Sequence, residues 1–119
     1  MELKPIVTKP LQSEALIRIY PGKITLSRRA CTILCISLSW PRVFIREDGA
    51  HRVYISHSHN GKGYQVYQRK GAHTGQICSS DLSSTLAVIL GGYGTYRISE
   101  DDVIFYDGIS HYQIISAQQ

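Results

Sequence analysis

The segment Gly22-Lys23-Ile24-Thr25-Leu26-Ser27 carries the pattern that indicates the architecture of this chain, because the pattern returns as Gly75-Gln76-Ile77-Cys78-Ser79-Ser80. Each copy leads into a segment whose apolar residues have helical spacing, over 30–34 in the first copy and over 82–90 in the second. In both copies a serine stands where a helix N-cap is expected. The chain therefore repeats the order strand, cap, helix.

Two strand-like runs follow each of these helices and meet at an Asp-Gly pair, Asp48-Gly49 in the first half and Asp107-Gly108 in the second. Asp-Gly between β-rich runs is a strong signal of a hairpin. A further turn is predicted at Pro21-Gly22, since proline presets one turn dihedral angle and glycine supplies the positive one. Each half thus reads as a ββαββ unit.

The predicted elements of the first half are a strand over 15–20, a strand over 23–26 with Ile24 inward and Thr25 outward, a helix over 28–34 capped by Ser27, and a hairpin of 42–47 with 51–57. Those of the second half are strands over 64–69 and 76–78, a helix over 82–90 ended by Gly91-Gly92, a strand over 95–98, an acidic turn at Glu100-Asp101-Asp102, and a hairpin of 103–106 with 111–115.

The predicted fold class is α+β, a β-rich barrel built from two ββαββ pseudo-repeats at about 14–59 and 60–119. Neither half of about fifty residues can bury its apolar faces alone, whereas the two packed together can. Residues 1–13 contain Pro5 and Pro10 and are predicted to form an extended N-terminal arm. The remainder, 14–119, is predicted to be a single barrel domain.

Composition excludes several classes of protein. No apolar run approaches the roughly 20 residues that a membrane-spanning helix needs, and the N-terminus lacks the apolar stretch of a secretory signal, so we expect a cytoplasmic protein with no membrane partner. An odd number of cysteines cannot all pair within one chain. Cys31, Cys35 and Cys78 are therefore predicted to be unpaired, small buried hydrophobic residues.

Charge is distributed unevenly along the chain. Residues 1–59 hold nine Lys and Arg against four Asp and Glu, a net charge of +5, whereas residues 60–119 hold four against five, a net charge of −1. A concentration of positive charge in one half points to a polyanionic partner.

The stretch from Gly22 to Ile36 resembles the core of the AbrB/SpoVT/MazE family of swapped-hairpin proteins. Its Gly22, Lys23, the two aliphatic residues, the helical arginines and Leu34-Cys35-Ile36 stand in register with the family pattern. Ser27 and Cys35 stand where proline and glycine are usual, and Leu38-Ser39-Trp40-Pro41 replaces the usual Gly-Asp. The match is good over 15–55, while 64–115 follows the family only in the order of elements.

This resemblance implies a swapped-hairpin barrel that is normally a homodimer and binds DNA, here in the form of a single-chain pseudo-dimer. In the family, the first hairpin and the helix start face the DNA. Arg18, Lys23, Arg28 and Arg29 inherit that role by position, and guanidinium groups and helix N–H groups suit phosphate oxygens. We therefore expect a small bacterial DNA-binding or regulatory protein, monomeric or homodimeric. The alternative is a non-enzymatic protein-interaction module with the same barrel and an unknown protein partner.

Other constellations favour structural explanations. His57-Ser58-His59 lacks a third ligand at fixed spacing, so no metal site is expected. Gly91-Gly92-Tyr93-Gly94 follows a helix rather than a strand, which is the wrong order for a phosphate-binding loop. No pair of nucleophile and base stands out, and we expect neither an enzyme nor a cofactor. Seven of the eight tyrosines fall on predicted strands, where they are half-buried side chains or mark a binding face for bases or protein.

Overall fold

The computed structural model describes residues 3, 14–36, 41–58, 60–68 and 73–117. Within them lie eight strands and two helices: β1 (Leu16–Tyr20), β2 (Lys23–Leu26), α1 (Arg28–Ile33), β3 (Arg42–Glu47), β4 (Val53–His57), β5 (Tyr64–Gln65), β6 (Gly75–Ile77), α2 (Ser80–Leu90), β7 (Gly94–Tyr106) and β8 (Ile109–Ser116). The predicted arm over 1–13 lies outside this range, apart from Leu3, which is exposed.

The strands form one antiparallel sheet in the order β5-β3-β4-β8-β7-β1-β2-β6. Its two ends meet at a bridge just beyond β5, where the N–H of Tyr67 donates to the Gln76 carbonyl at 2.8 Å and the N–H of Gln76 donates to the Tyr67 carbonyl at 3.0 Å. The sheet is therefore a nearly closed barrel carrying two helices. The coarse prediction of an α+β barrel is confirmed.

The barrel interior is apolar because each strand alternates its side chains between the two faces. On β1, Ile17 and Ile19 are buried, whereas Arg18 is exposed. Ile24 on β2 points inward and Thr25 outward, as predicted. The two helices add their own apolar faces to the same cluster, through Ala30 and Leu34 after β2 and through Leu82 and Leu86 after β6.

Both helices have the predicted serine caps, and α2 begins at Ser80, two residues before the predicted start. The Oγ of Ser27 accepts from the N–H of Ala30 at 3.3 Å, and the Oγ of Ser79 accepts from the N–H of Leu82 at 3.2 Å. The same Ser27 Oγ also accepts from the Leu16 N–H and donates to the Glu14 carbonyl, both at 2.9 Å. This one hydroxyl therefore fixes the start of α1 against the start of β1.

Both predicted Asp-Gly hairpins are present, with different turns. Asp107 and Gly108 both have positive φ and join Tyr106 directly to Ile109, as a two-residue primed turn requires. The first hairpin has a five-residue loop over 48–52, so β4 begins at 53 rather than 51. The Asp48 carboxylate holds that loop by accepting from two backbone N–H groups within it, at 2.9 and 3.2 Å.

The predicted acidic turn at Glu100-Asp101-Asp102 was wrong, because these residues lie inside one continuous strand, β7. The register with β8 shifts between Ile98 and Val103, which makes this segment a bulge. The Oγ of Ser99 accepts from the Asp102 N–H at 3.2 Å. A bulge that satisfies its own backbone groups lets two β-rich runs continue as one strand.

The strand predicted over 64–69 is shorter in the structure, since β5 covers only two residues.

The prediction of three buried cysteines holds for Cys31 alone. Cys31 is 4% exposed, and burial raises the pKa of its thiol to about 11. Cys35 and Cys78 are free and exposed. Cys35 lies just past the end of α1, and Cys78 just past the end of β6. Both cysteines lie where the chain leaves the core. Their position in the fold, rather than their apolar character, therefore determines their exposure.

No helix among the described residues has the length and apolar character needed to cross a membrane.

Gly63, directly before β5, packs against the backbone of β3. Its φ is +95°, and a Cβ there would run into the carbonyl oxygen of Val43. Gly61 has a similar φ of +73° with open space around it. We expect Gly61→Ala to cost about 1 kcal/mol and Gly63→Ala at least about 2–3 kcal/mol of unfolding free energy, measured by urea denaturation. Equal losses in the two variants would contradict the close approach.

Cys35 occupies the left-handed region with φ +54°, and the N–H of the next residue donates to the Cys31 carbonyl at 2.9 Å. Glycine is the residue that this helix-ending geometry favours. We expect Cys35→Gly to stabilise the protein by about 0.5–1 kcal/mol, since a residue with a Cβ pays strain there. Cys35→Ala keeps the Cβ and serves as the control in the same thermal unfolding experiment. A melting temperature no higher for glycine than for alanine would contradict this.

Candidate functional site

The neighbouring strands β7, β1, β2 and β6 present one face to the outside of the barrel, which we call the outer face. Its central row consists of residues that pair directly across successive strands, namely Thr95, Arg18, Thr25, Gln76 and Tyr67. Directly paired residues of antiparallel strands project to the same side of a sheet. These five side chains therefore form a single row that crosses the sheet and ends at the barrel seam.

Arg18 is held within this row by neutral partners. Its Nε donates to the Thr95 Oγ1 at 2.9 Å, and its Nη1 donates to the Tyr20 hydroxyl at 3.2 Å. In the part of the chain that the structure describes, no carboxylate pairs with it. The guanidinium is thus oriented on an exposed face while its charge is not compensated by a counter-ion.

Lys23 lies in the next row, directly opposite Tyr20 and diagonal to Arg18. Its Nζ stands 5.1 Å from the centroid of the Tyr20 ring, a cation–π contact. Diagonal neighbours on one sheet face are about 7–8 Å apart. The structure therefore brings together Arg18 and Lys23, two of the four predicted site residues, around one tyrosine.

Arg28 and Arg29 form a separate pair at the start of α1, beyond the opposite end of β2 from Lys23. Arg28 is exposed and makes no ion pair with any residue described. The Nη2 of Arg29 lies 2.7 Å from the Glu100 Oε1, and this hydrogen bond raises the pKa of Arg29 above its ordinary value. Three of the four predicted cations therefore have no counter-ion in the described part of the chain, and the fourth has a counter-charge contributed by β7.

A groove of about 570 Å³ runs along the outer face beside Arg18. Its lining combines hydroxyl, amide and apolar groups with one guanidinium, and comprises Leu16, Arg18, Thr25, Leu26, Ser27, Tyr67, Thr74, Gly75 and Gln76. None of these residues is acidic. The groove therefore offers hydrogen-bonding groups and one positive charge without a carboxylate that would repel an anion.

Three further groups lie on this face at places that the sequence did not predict. Tyr67 and Gln76 reach it because the barrel closes between them, and Arg97 reaches it because β7 pairs with Leu16 on β1. The Nε of Arg97 is buried without a hydrogen-bond partner among the described residues. All three lie in the half whose net charge is −1, and only long-range strand pairing places them beside the basic first hairpin.

A second cationic cluster lies on β3 and β8, and its charge is engaged internally. The Arg46 guanidinium stands 4.5 Å from the Phe44 ring centroid and 5.2 Å from that of Tyr106. Its Nη1 donates to the Nε2 of the buried His111 at 2.7 Å. Because arginine only donates, Nε2 must be the acceptor, and Nδ1–H donates to the Ile109 carbonyl at 3.1 Å. We call this arrangement the Arg46 clamp.

Among the described residues, no three His, Cys, Asp or Glu side chains lie close enough together to bind a metal ion. One member of the predicted histidine pair, His59, lies outside the residues described.

No protein-family model, no curated protein and no solved structure matches this chain.

The Arg46 clamp makes stability depend on pH. Burial, together with the charge of Arg46, holds the pKa of His111 below its ordinary value of 6.5. The unfolded chain therefore takes up a proton at a higher pH than the folded one. The resulting stability is complete above about pH 6.5 and declines as the pH falls below that value.

We expect His111→Gln, whose Oε1 can still accept from Arg46 and cannot be protonated, to lose less stability than the parent protein between pH 7.5 and 5.5. Urea midpoints at the two pH values measure this difference. Identical pH dependence in the two proteins would show that His111 does not titrate through the clamp.

Proposed function

We propose that this protein binds duplex DNA through phosphate contacts made by Arg18 and Lys23 on the outer face, with Arg28 and Arg29 extending the contact at the start of α1. The observation that carries this proposal is the position of Arg18 and Lys23 on one exposed face of the first hairpin, where no described carboxylate compensates either charge. Phosphate contacts of this kind position a protein on DNA without specifying a base sequence.

Each of the four cations takes a role that fits its surroundings. Arg18 is already oriented by Thr95 and Tyr20, so it loses little side-chain freedom when a phosphate oxygen approaches. Lys23 and Arg28 are exposed and supply positive charge that no described carboxylate compensates. Arg29 has to exchange the Glu100 carboxylate for a phosphate, which makes its contribution to binding the smallest of the four.

We further propose that the barrel is a tandem of two ββαββ halves with swapped hairpins, as the resemblance to the AbrB/SpoVT/MazE family implies. The strand pairing supports this. If the two halves are interchanged, so that β1, β2, β3 and β4 trade places with β5, β6, β7 and β8 in that order, the strand pairs map onto one another. The β1·β7 pair becomes β5·β3, and the β3·β4 pair becomes β7·β8. The interchange also turns β1·β2 into the contact made by the Tyr67–Gln76 bridge, and it leaves β2·β6 and β4·β8 unchanged.

On this proposal only one half of the pseudo-dimer carries the DNA contact. The helix start that corresponds to Arg28 and Arg29 is occupied in α2 by Ser80 and Asp81. A single basic half binds DNA without two-fold symmetry, so no palindromic site is required.

A protein-interaction module is the second candidate, and one surface favours it. Near the tip of the β7–β8 hairpin, Val103, Ile104, Phe105 and Tyr106 are all exposed, with Phe105 at 76%. Contiguous exposed apolar residues mark interaction sites. On this alternative the protein shows no salt-dependent affinity for DNA, and polar substitutions at Val103 and Phe105 abolish partner capture.

Salt dependence tests the leading proposal. Contacts with three to four phosphates give a slope of about −2.7 to −3.6 for log Kobs against log salt concentration. We expect the double variant Arg18→Ala with Lys23→Ala to flatten this slope by about 1.8, because two phosphate contacts are lost. Fluorescence anisotropy with a labelled duplex, titrated from low to physiological salt, measures both slopes.

Arg52→Ala is the matched control, since Arg52 is exposed but pairs with Asp48 at 2.6 Å on the far hairpin loop. This variant should leave the slope unchanged. Absence of duplex binding at low salt, or equal flattening by Arg52→Ala, would overturn the assignment of the outer face.

A further inference from the structure

We propose that the groove on the outer face takes an unpaired nucleobase of single-stranded nucleic acid, stacked on the ring of Tyr67, while Arg18 and Lys23 hold the adjoining phosphates. This inference rests on the proposed function and specifies which form of nucleic acid the same face prefers. It is carried by the row of paired residues that joins Arg18 to Tyr67 across the groove.

Tyr67 supplies an exposed ring on a fixed backbone. Its side chain is 54% exposed, and its backbone is fixed by the two hydrogen bonds of the barrel seam. Proteins that bind single strands stack successive bases on aromatic side chains above a positively charged path for the backbone. Tyr67 and Arg18 stand at opposite ends of the same groove in that arrangement.

The groove has the size and chemistry for a base. Its volume of about 570 Å³ falls within the range typical of small-ligand sites. Leu16 gives it an apolar part, whereas Thr25 and Gln76 carry groups able to bond a base edge. The Gln76 Nε2 donates to the Cys78 Sγ at 3.1 Å, and among the described residues no hydrogen bond engages the carbonyl oxygen of that amide, which can accept from a base.

Duplex DNA cannot use the Tyr67 ring in this way. In a duplex the faces of the bases are covered by their neighbours, and only base edges are exposed in the grooves. Unpaired strands expose those faces, which aromatic side chains then cover. A duplex can therefore engage the cations of the outer face, whereas a single strand can engage both the cations and the groove.

Anisotropy titrations with a labelled oligothymidylate of about 12 nucleotides, within the site sizes known for single-strand binders, test this inference against a duplex of equal length. We expect Tyr67→Ala to weaken oligothymidylate binding about ten-fold or more and to change duplex affinity less than about two-fold. Tyr67→Phe keeps the ring and should bind like the parent protein.

Tyr64→Ala is the matched control, because Tyr64 is an exposed strand tyrosine on β5 that does not line the groove. It should leave oligothymidylate binding unchanged. Arg18→Ala should weaken the binding of both probes.

The outcomes separate the two proposals. Selective loss of oligothymidylate binding in Tyr67→Ala supports the stacked base. Duplex binding without single-strand binding, or an equal effect of Tyr67→Ala on both probes, overturns this inference and leaves the proposed function standing. Failure of both probes to bind at low salt overturns both.

Discussion

The pairing of β1 with β7 joins the first hairpin to the long strand of the second half and thereby holds the barrel together. It joins residues about eighty positions apart, such as Arg18 with Thr95, and it continues past β1 through a hydrogen bond from the Ile98 N–H to the Ala15 carbonyl at 2.8 Å. Without it the first hairpin has no neighbour on one side. The same pairing orients the Arg18 guanidinium and connects the strand that brings Glu100 to Arg29. The strand pairing that closes this part of the barrel therefore also positions the charged side chains of Arg18 and Arg29.

The parts of the fold that could be predicted from the sequence are those whose causes lie within a few residues. The Ser27 cap, the Asp107-Gly108 turn and the end of α2 at Gly91 each depend on one side chain or one backbone dihedral angle. The bulge at 99–102 could not be predicted, because it follows from the register of β7 against β8. An acidic triplet has the same composition whether the chain turns there or continues.

The candidate site divides along the same line. Arg18 and Lys23 could be paired from the sequence because they belong to one hairpin whose turn fixes their register. The ion pair of Arg29 with Glu100 could not, since the two residues are 71 positions apart. The groove was also out of reach, because Tyr67 meets Gln76 only where the barrel closes. Arg97 belongs by sequence to the half of the chain with a net charge of −1. In the structure it lies opposite Leu16 on β1, in the basic half.

Internal neutralisation, rather than net charge, sets the electrostatic character of the barrel surface. Arg29 and Arg52 each pair with a carboxylate, and Arg46 is stacked between two rings and bonded to His111. Those contacts stabilise loops and a buried histidine. They also reduce the positive potential at three separate regions of the surface. Among the described residues Arg18 and Lys23 have neutral partners and no counter-ion, so their field extends into solvent. Two cations without a described counter-ion therefore lie on the same face as a groove whose lining holds no acidic residue.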